Sequence, residues 1–329
     1  MNSSWLTAEA PPEKLGDVVI SSRVRLARNL KNIPFPGHGK NEEVWVNDII
    51  SALTESAGGS AFVSVPLTDE NAVRALMESY AISPAFAKLT RPHALAQNAD
   101  GSISVMIGEE DHIRLQAFAA GLDLESCFAA AGKLDDLLDE RFGYAFSEAL
   151  GYLTECPTNL GTGMRASVML HLPALTHSGA LRGWAASAAK SGLTIRGLYG
   201  EGTQALGCLF QLSNQGSNGQ SETEIIGLLT QAARQIGAAE RGARELFKAK
   251  NGVLLNDRVY RAWGLMTNAR LLELKETIDA LGDIRVGAAM GLLPVNVSLS
   301  ALNALLTEIH VSRPDCYEER ANTVRRRLK

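Results

Sequence analysis

The sequence predicts an α+β protein that ends in a helical part. Over the first 250 residues, short stretches of alternating polar and apolar residues are mixed with amphipathic helical stretches in no regular order. From Asp257 onward the strand signals fade. With 329 residues, 46% of them hydrophobic, the chain can bury one large core or two smaller ones. A boundary is expected near 250, between a mixed domain of residues 1–250 and a helical domain of residues 251–329.

Each element follows from its spacing. Residues 17–25 read as a strand with Val18, Ile20, Ser22 and Val24 on one face and Val19, Ser21, Arg23 and Arg25 on the other. The same period of two marks strands at 102–107, 165–172 and 206–212. Helical spacing covers 45–55, 71–80 and 134–153, the last interrupted at Gly143. The clearest helix opens with a capping box of Ser221 and Glu224 and is expected to end near Asn251 and Gly252. Ahead of it, residues 213–220 form a polar, glycine-containing loop suited to act as a lid. Residues 259–281 and 297–309 look helical.

Bulk properties narrow the function. A net charge of −4 gives no general attraction to nucleic acid or to an anionic membrane. Cys127, Cys156, Cys208 and Cys316 lie far apart without metal-ligand or secreted-disulfide spacing, which favours a reducing compartment. No apolar run approaches roughly 20 residues and no signal segment is visible, so a cytoplasmic location is expected.

The chemistry is carried by arginines in short motifs. Arg23 and Arg25 share one strand face, Arg114 follows Glu109-Glu110-Asp111, Arg165 follows Gly161-Thr162-Gly163-Met164, and Arg196 precedes Gly197-Leu198-Tyr199-Gly200-Glu201. Each guanidinium is a permanently charged fork matched to phosphate oxygens, whereas Glu110 and Glu201 are acceptors suited to a cationic group. A phosphate clamp beside a carboxylate pair suggests a kinase.

Ser21-Ser22-Arg23-Val24-Arg25-Leu26-Ala27-Arg28-Asn29, Glu109-Glu110-Asp111-His112-Ile113-Arg114, Cys156-Pro157-Thr158-Asn159, Arg165-Ala166-Ser167-Val168-Met169 and the segment from Arg196 to Glu201 together resemble the guanidino kinases, over about residues 17 to 329. The likeness is greatest to the bacterial branch that phosphorylates protein arginines. It implies a glutamine-synthetase-like catalytic domain, a mostly antiparallel sheet flanked by helices, followed by a small helical domain. It also implies that Arg23, Arg25, Arg114, Arg165 and Arg196 clamp the phosphates of ATP. Magnesium would be held mainly by phosphate and water. Ser21, Ser22, Val24, Ala166, Ser167, Val168, Met169, Gly197, Leu198, Tyr199 and Gly200 complete the nucleotide-binding motifs. Glu110 and Glu201 would grip the acceptor guanidinium, Glu110 being the first choice for the base, and Cys156 takes the place of the family's reactive cysteine, its thiolate favoured by the arginines around it.

Guanidino kinases of free metabolites carry a further helical domain ahead of this first strand; here about twenty residues precede Ser21, which favours a protein substrate. The partners implied are proteins presenting arginine, a zinc-binding activator protein and a Clp-type ATPase, with a heat-shock repressor among the targets. A homodimer is common in the family, and the sequence pattern is silent on it. The alternatives are a kinase of free arginine or another small guanidino compound, and a non-catalytic phosphoarginine-binding adaptor.

Some features depart from the pattern. Gly108 stands where the family has Asn, so a slight loosening of that turn is expected. Aligning the family's C-terminal Arg-Asp-x-x-Arg-Ala phosphoarginine signature on Arg320 and Ala321 places Cys316 and Tyr317 on its missing half, which leaves Arg320, Arg325, Arg326 and Arg327 to be read as a solvated basic helix end. Gly161-Thr162-Gly163 followed by Ala166 also fits a loose dinucleotide fingerprint, but a strand follows where a helix is required. His112 and His171 are expected to be structural.

Overall fold

A computed structural model describes residues 4–55, 62–198, 205–217, 219–309, 313 and 315–328. Its strands are β1 (Val19–Arg28), β2 (Phe62–Val65), β3 (Ala94–Asn98), β4 (Ile103–Ile107), β5 (Ile113–Ala120), β6 (Phe146–Ser147), β7 (Gly151–Tyr152), β8 (Met164–His171), β9 (Leu193–Gly197) and β10 (Leu209–Asn214). The helices are α1 (Ser4–Thr7), α2 (Glu42–Glu55), α3 (Glu70–Glu78), α4 (Leu124–Phe142), α5 (Pro173–His177), α6 (Leu181–Lys190), α7 (Glu222–Asn268), α8 (Leu274–Ala289), α9 (Leu299–Glu308) and α10 (Tyr317–Leu328). Eight strands form one sheet in the order β2-β3-β4-β5-β1-β8-β10-β9, and every pairing in it is antiparallel. This is the α+β architecture the sequence predicts.

Period two makes the sheet two-faced. Val24, Leu26, Leu115, Ala117, Ala166, Val168 and Leu212 lie on one face and pack against Ala131 and Leu138 of α4 and Ile225, Leu229 and Ile236 of α7. The opposite face is apolar only at its flanks. At one flank Trp5, Leu6, Ile20, Phe118 and Leu209 join Met266, Ile278, Leu305 and Val324 of the C-terminal helices. At the other, Leu95 and Met106 pack with Leu76 and Phe86. The charged stretch between them is the floor of the site described below.

The alternation slips once. Val19 pairs with Leu170 and Ser21 with Met169, two residues facing one, so a bulge sends Val19 to the core face and Ile20 to the other, against the strict alternation of residues 17–25. Other boundaries also move. The stretch 134–153 is not one helix: α4 starts ten residues earlier, capped by Asp123, and ends at Phe142 before Gly143 (φ +68°), after which the chain makes the β6–β7 hairpin. The helix expected to end near Asn251 only kinks there (φ −135°, ψ 34°) and runs on to Asn268, because its first half is buried in one core and its second half in another. Residues 259–281 are divided between α7 and α8.

The C-terminal arginines include one clear correction. Arg320 is fully buried, not solvated, and donates to the carbonyl oxygens of Ile309 (2.7 Å), Leu272 (2.8 Å) and Arg313 (2.9 Å). It gathers the end of α9 and the turn before α8 onto α10. Arg320→Ala strips three carbonyls of their donor at once and is expected to cost about 3 kcal/mol. A lower urea midpoint with an unchanged slope checks this. Among the described residues no helix is long and apolar enough to cross a membrane.

Candidate active site

The register of the sheet decides which side chains meet. Arg25 pairs with Arg165 on β8 and with Gln116 on β5, two residues from Arg114; Arg23 pairs with Ser167; Gln211 of β10 pairs with Met169 on one side and Arg196 on the other. Cross-strand partners share a face, so Arg23, Arg25, Arg114, Arg165 and Arg196, from four separate motifs and four strands, stand on the same side of the sheet. The side chains of Ser22, Val24, Ala166 and Val168 point the other way into the core, which leaves only their backbone facing the arginine side of the sheet. The Ser22 hydroxyl is engaged there by Gly121 O (2.8 Å) and Asp123 N (2.9 Å).

Crowding of guanidiniums has an electrostatic cost. Burial first, then Arg114, Arg23 and Arg165, holds Arg25 down at about 9. Burial first, then Arg165 and Arg114, holds Arg23 at about 10. Arg165 is lowered by burial and by Arg196 and Arg114, with Cys156 opposing. A polyanion laid on this floor would relieve the repulsion. The sign of its pH dependence follows. In the free protein the charged forms of Arg23 and Arg25 are disfavoured, and a bound triphosphate favours them and raises both values. Binding should therefore take up protons above pH about 9, and nucleotide affinity should fall as pH rises through 9 and 10. Titration calorimetry in buffers of different ionisation enthalpy reads this uptake.

Facing the arginines, three consecutive acids have three different fates. Glu109 is buried and clasped by Arg114 and the Ser83 hydroxyl (2.5 Å). Asp111 is fully buried; its Oδ1 accepts from Asn29 Nδ2 (2.7 Å) and from Glu155 N (3.0 Å), while burial pushes its carboxyl up. Only Glu110, with 37% of its side chain exposed, presents a carboxylate outward, one oxygen 2.9 Å from Arg114 Nη2. This outward carboxylate thus sits at the edge of the arginine floor, paired with Arg114.

Asn29 assembles this turn. It follows β1 directly, donates to Leu153 O (3.0 Å) as well as to Asp111, and accepts from His112 N (2.9 Å) and the His112 ring (2.7 Å). One side chain ties the first strand, the acidic turn and the segment leading to Cys156. Glu155, held by Asp111, is the residue before Cys156, whose thiol lies 3.1 Å from the Thr158 hydroxyl. His112 is buried and held down to about 4, and burial together with Arg285 and Arg244 holds His171 well below its ordinary value. Both are neutral packing groups, as their sequence positions suggest.

Gly108 closes the turn through its N–H to His112 O (2.9 Å) at φ +78°, where a Cβ would come 3.0 Å from Pro92 O. Gly163 (φ +62°) lies so close to β1 that a Cβ would meet Ala27 O at 2.6 Å, so its need for glycine is strand packing and not a dinucleotide. The expected lid is tied down over its described part: Ser217 Oγ donates to Asn159 O and Leu160 O, and Gln215 Nε2 to Leu193 O. Tyr199, Gly200 and Glu201 lie outside the described residues, so the structure does not place the second acceptor carboxylate. Beside the arginines a small cleft is lined by Trp5, Ser21, Arg23, Tyr80, Met169 and Gln211, among others. Asn29, Ser83 and Arg91, whose guanidinium donates to Gly108 O (3.2 Å), have parts in this site that the motifs alone do not assign. Asn29 lay within a motif, but nothing in the sequence marks Ser83 or Arg91.

A guanidinium-lined antiparallel sheet with an outward carboxylate at its edge suits a phosphotransferase, and similarity to known proteins gives the class. Residues 42–243 match the ATP:guanido phosphotransferase C-terminal catalytic domain, and the chain belongs to that family. Residues 253–329 match the protein-arginine kinase McsB C-terminal domain. The chain is 42% identical over 329 residues to the protein-arginine kinase of Syntrophomonas wolfei, covering 97% of this chain and 89% of that protein. It is 43% identical over 300 residues to that of Caldanaerobacter subterraneus, covering 89% and 88%. Within the family it belongs with the protein-arginine kinases. In fold it is similar to the duplicated taurocyamine kinase of Schistosoma mansoni with bound transition state analog components (TM-score 0.63, 23% identity, 77% of this chain but 38% of that one). It is similar also to lombricine kinase (TM-score 0.59, 23% identity, 69% and 67%).

Proposed function

We propose that the protein transfers the terminal phosphoryl group of ATP to arginine side chains of proteins, with the arginine floor as triphosphate clamp and Glu110 as the acceptor-side base. One observation carries this reading: five guanidiniums converge on one sheet face, three of them held below their ordinary pKa by burial and then by one another, with the Glu110 carboxylate turned outward at their edge. On this reading the adenine end would lie in the cleft beside Trp5, Tyr80 and Met169, with the phosphates along β1 toward Arg25. Magnesium, carried by the phosphates and water, would supply further charge neutralisation.

Transfer forms a bond from an arginine nitrogen to the γ-phosphorus and breaks the bond from that phosphorus to the bridging oxygen, which leaves on ADP. The nitrogen's proton passes to the Glu110 carboxylate. A guanidinium holds its proton tightly, so the proton leaves as the new bond forms, and the carboxylate must both orient and accept. The clamp arginines offset the charge on the equatorial oxygens.

The alternatives are separated by incubating the protein with ATP and either an arginine-containing protein or free arginine, then measuring acid-labile phosphate on each. Label on protein supports the proposal; label confined to free arginine, or to neither, overturns it. The same reading expects phosphoarginine readers of the Clp type downstream and a zinc-binding activator upstream.

A further inference from the structure

The turn that carries Glu110 is held from two sides, and only one belongs to the motifs. Asn29 fixes residues 111 and 112. Residues 108 and 109 are gripped by Arg91, from the segment between the helical turn Phe86–Lys88 and β3. Its Nε and Nη2 donate to Gly108 O at 3.3 and 3.2 Å, and Nη2 also donates to Glu109 O.

Gly108 makes this grip matter. A glycine at φ +78° has no side chain to restrain its backbone, so rotation there would swing Glu109 and Glu110 together. A guanidinium bridging two successive carbonyls blocks that rotation, because its planar fork fixes both acceptors at once. Arg91 is itself seated: its carbonyl oxygen lies 2.7 Å from His93 Nδ1, and its Nη1 lies 2.5 Å from where a Cβ on Gly37 would stand. The Glu109 carboxylate is already engaged by Arg114 and Ser83. The Glu110 carboxylate is steadied by Arg114 Nη2 (2.9 Å), and the backbone from which its side chain springs is held by Arg91.

We infer that Arg91 is a positioning residue for phosphoryl transfer, fixing the carbonyls of Gly108 and Glu109 and thereby aiming Glu110 at the acceptor. The inference rests on Glu110 being the acceptor-side base. It is tested with Arg91→Met, which keeps the stem and loses every donor, Arg91→Lys, which keeps the charge but not the fork, and Glu110→Gln, each measured for kcat, KM for ATP and thermal midpoint.

Arg91→Met is expected to lower kcat roughly 100-fold, the scale of a small misplacement of a reacting group. KM for ATP should stay within about twofold, since the clamp arginines are untouched. Arg91→Lys should recover part of the loss. If Glu110→Gln is inactive but both Arg91 variants keep wild-type kcat, the positioning role is refuted. It is refuted equally if KM for ATP rises in step with the loss of kcat. Should Arg91→Met fail to fold, Arg91→Lys decides by the same kcat and KM criteria. If Glu110→Gln keeps near wild-type turnover, the reading of Glu110 itself falls, an outcome separable from the others.

Discussion

Glu110→Gln is expected to lower kcat roughly 10³-fold, within the range that a positioned acid or base supplies. The amide is isosteric, so the turn keeps its shape, but it neither accepts the proton nor offers a charge to the acceptor guanidinium. Arg114 retains its Glu109 partner, which leaves the phosphate clamp in place. ATP affinity should change by no more than about twofold, because the lost interaction belongs to the acceptor side. Steady-state kinetics on a protein substrate together with equilibrium binding of ATP test both parts. Turnover close to wild type would move the base to another residue, and a matching loss of ATP binding would place Glu110 on the nucleotide side.

Arg25→Met should lower kcat/KM roughly 10³-fold, the lower end of what a single phosphate-stabilising arginine provides. The same substitution should make the free protein more stable. Arg25 is held at about 9 by burial and by Arg114, Arg23 and Arg165, so its charged form is an energetic burden until an anion arrives. Methionine fills similar space without the charge, and a thermal midpoint about 3 °C higher is the expected sign of strain kept for function. ATP should then stabilise the variant far less than it stabilises the parent protein. A variant that is both less active and less stable would mean that Arg25 is a packing residue.

The parts legible in sequence were those with local signatures. Period two placed β1, β4 and β8, and the shared face of Arg23 and Arg25 followed from it. The capping box at Ser221 marked the start of α7. The strand β5 was hidden because Ile113 and Arg114 draw the eye as motif, although Ile113, Leu115 and Ala117 alternate with Arg114 and Gln116. Short strands such as β2 and β9 have too few turns of the pattern to separate from loops. Arg320 could not be seen as buried, since the carbonyls that hold it come from Leu272, Ile309 and Arg313, and only the folded chain brings them together. The separate fates of Glu109, Glu110 and Asp111 were equally invisible: they depend on Ser83, Asn29 and Glu155, none of which is a neighbour in sequence.

β1 acts as a ruler with an apolar end and a catalytic end. Reading from its start, it offers Ile20 against the aromatic wall, then Ser21, Arg23 and Arg25, and beyond its last residue Asn29, which fastens the acidic turn. At about 3.3 Å per residue the marks from Ser21 to Arg25 span roughly 13 Å. A nucleotide laid on such a graded strand has one orientation in which its base meets apolar surface and its phosphates meet charge. On the proposed reading, the direction of this single strand sets which way round the nucleotide lies.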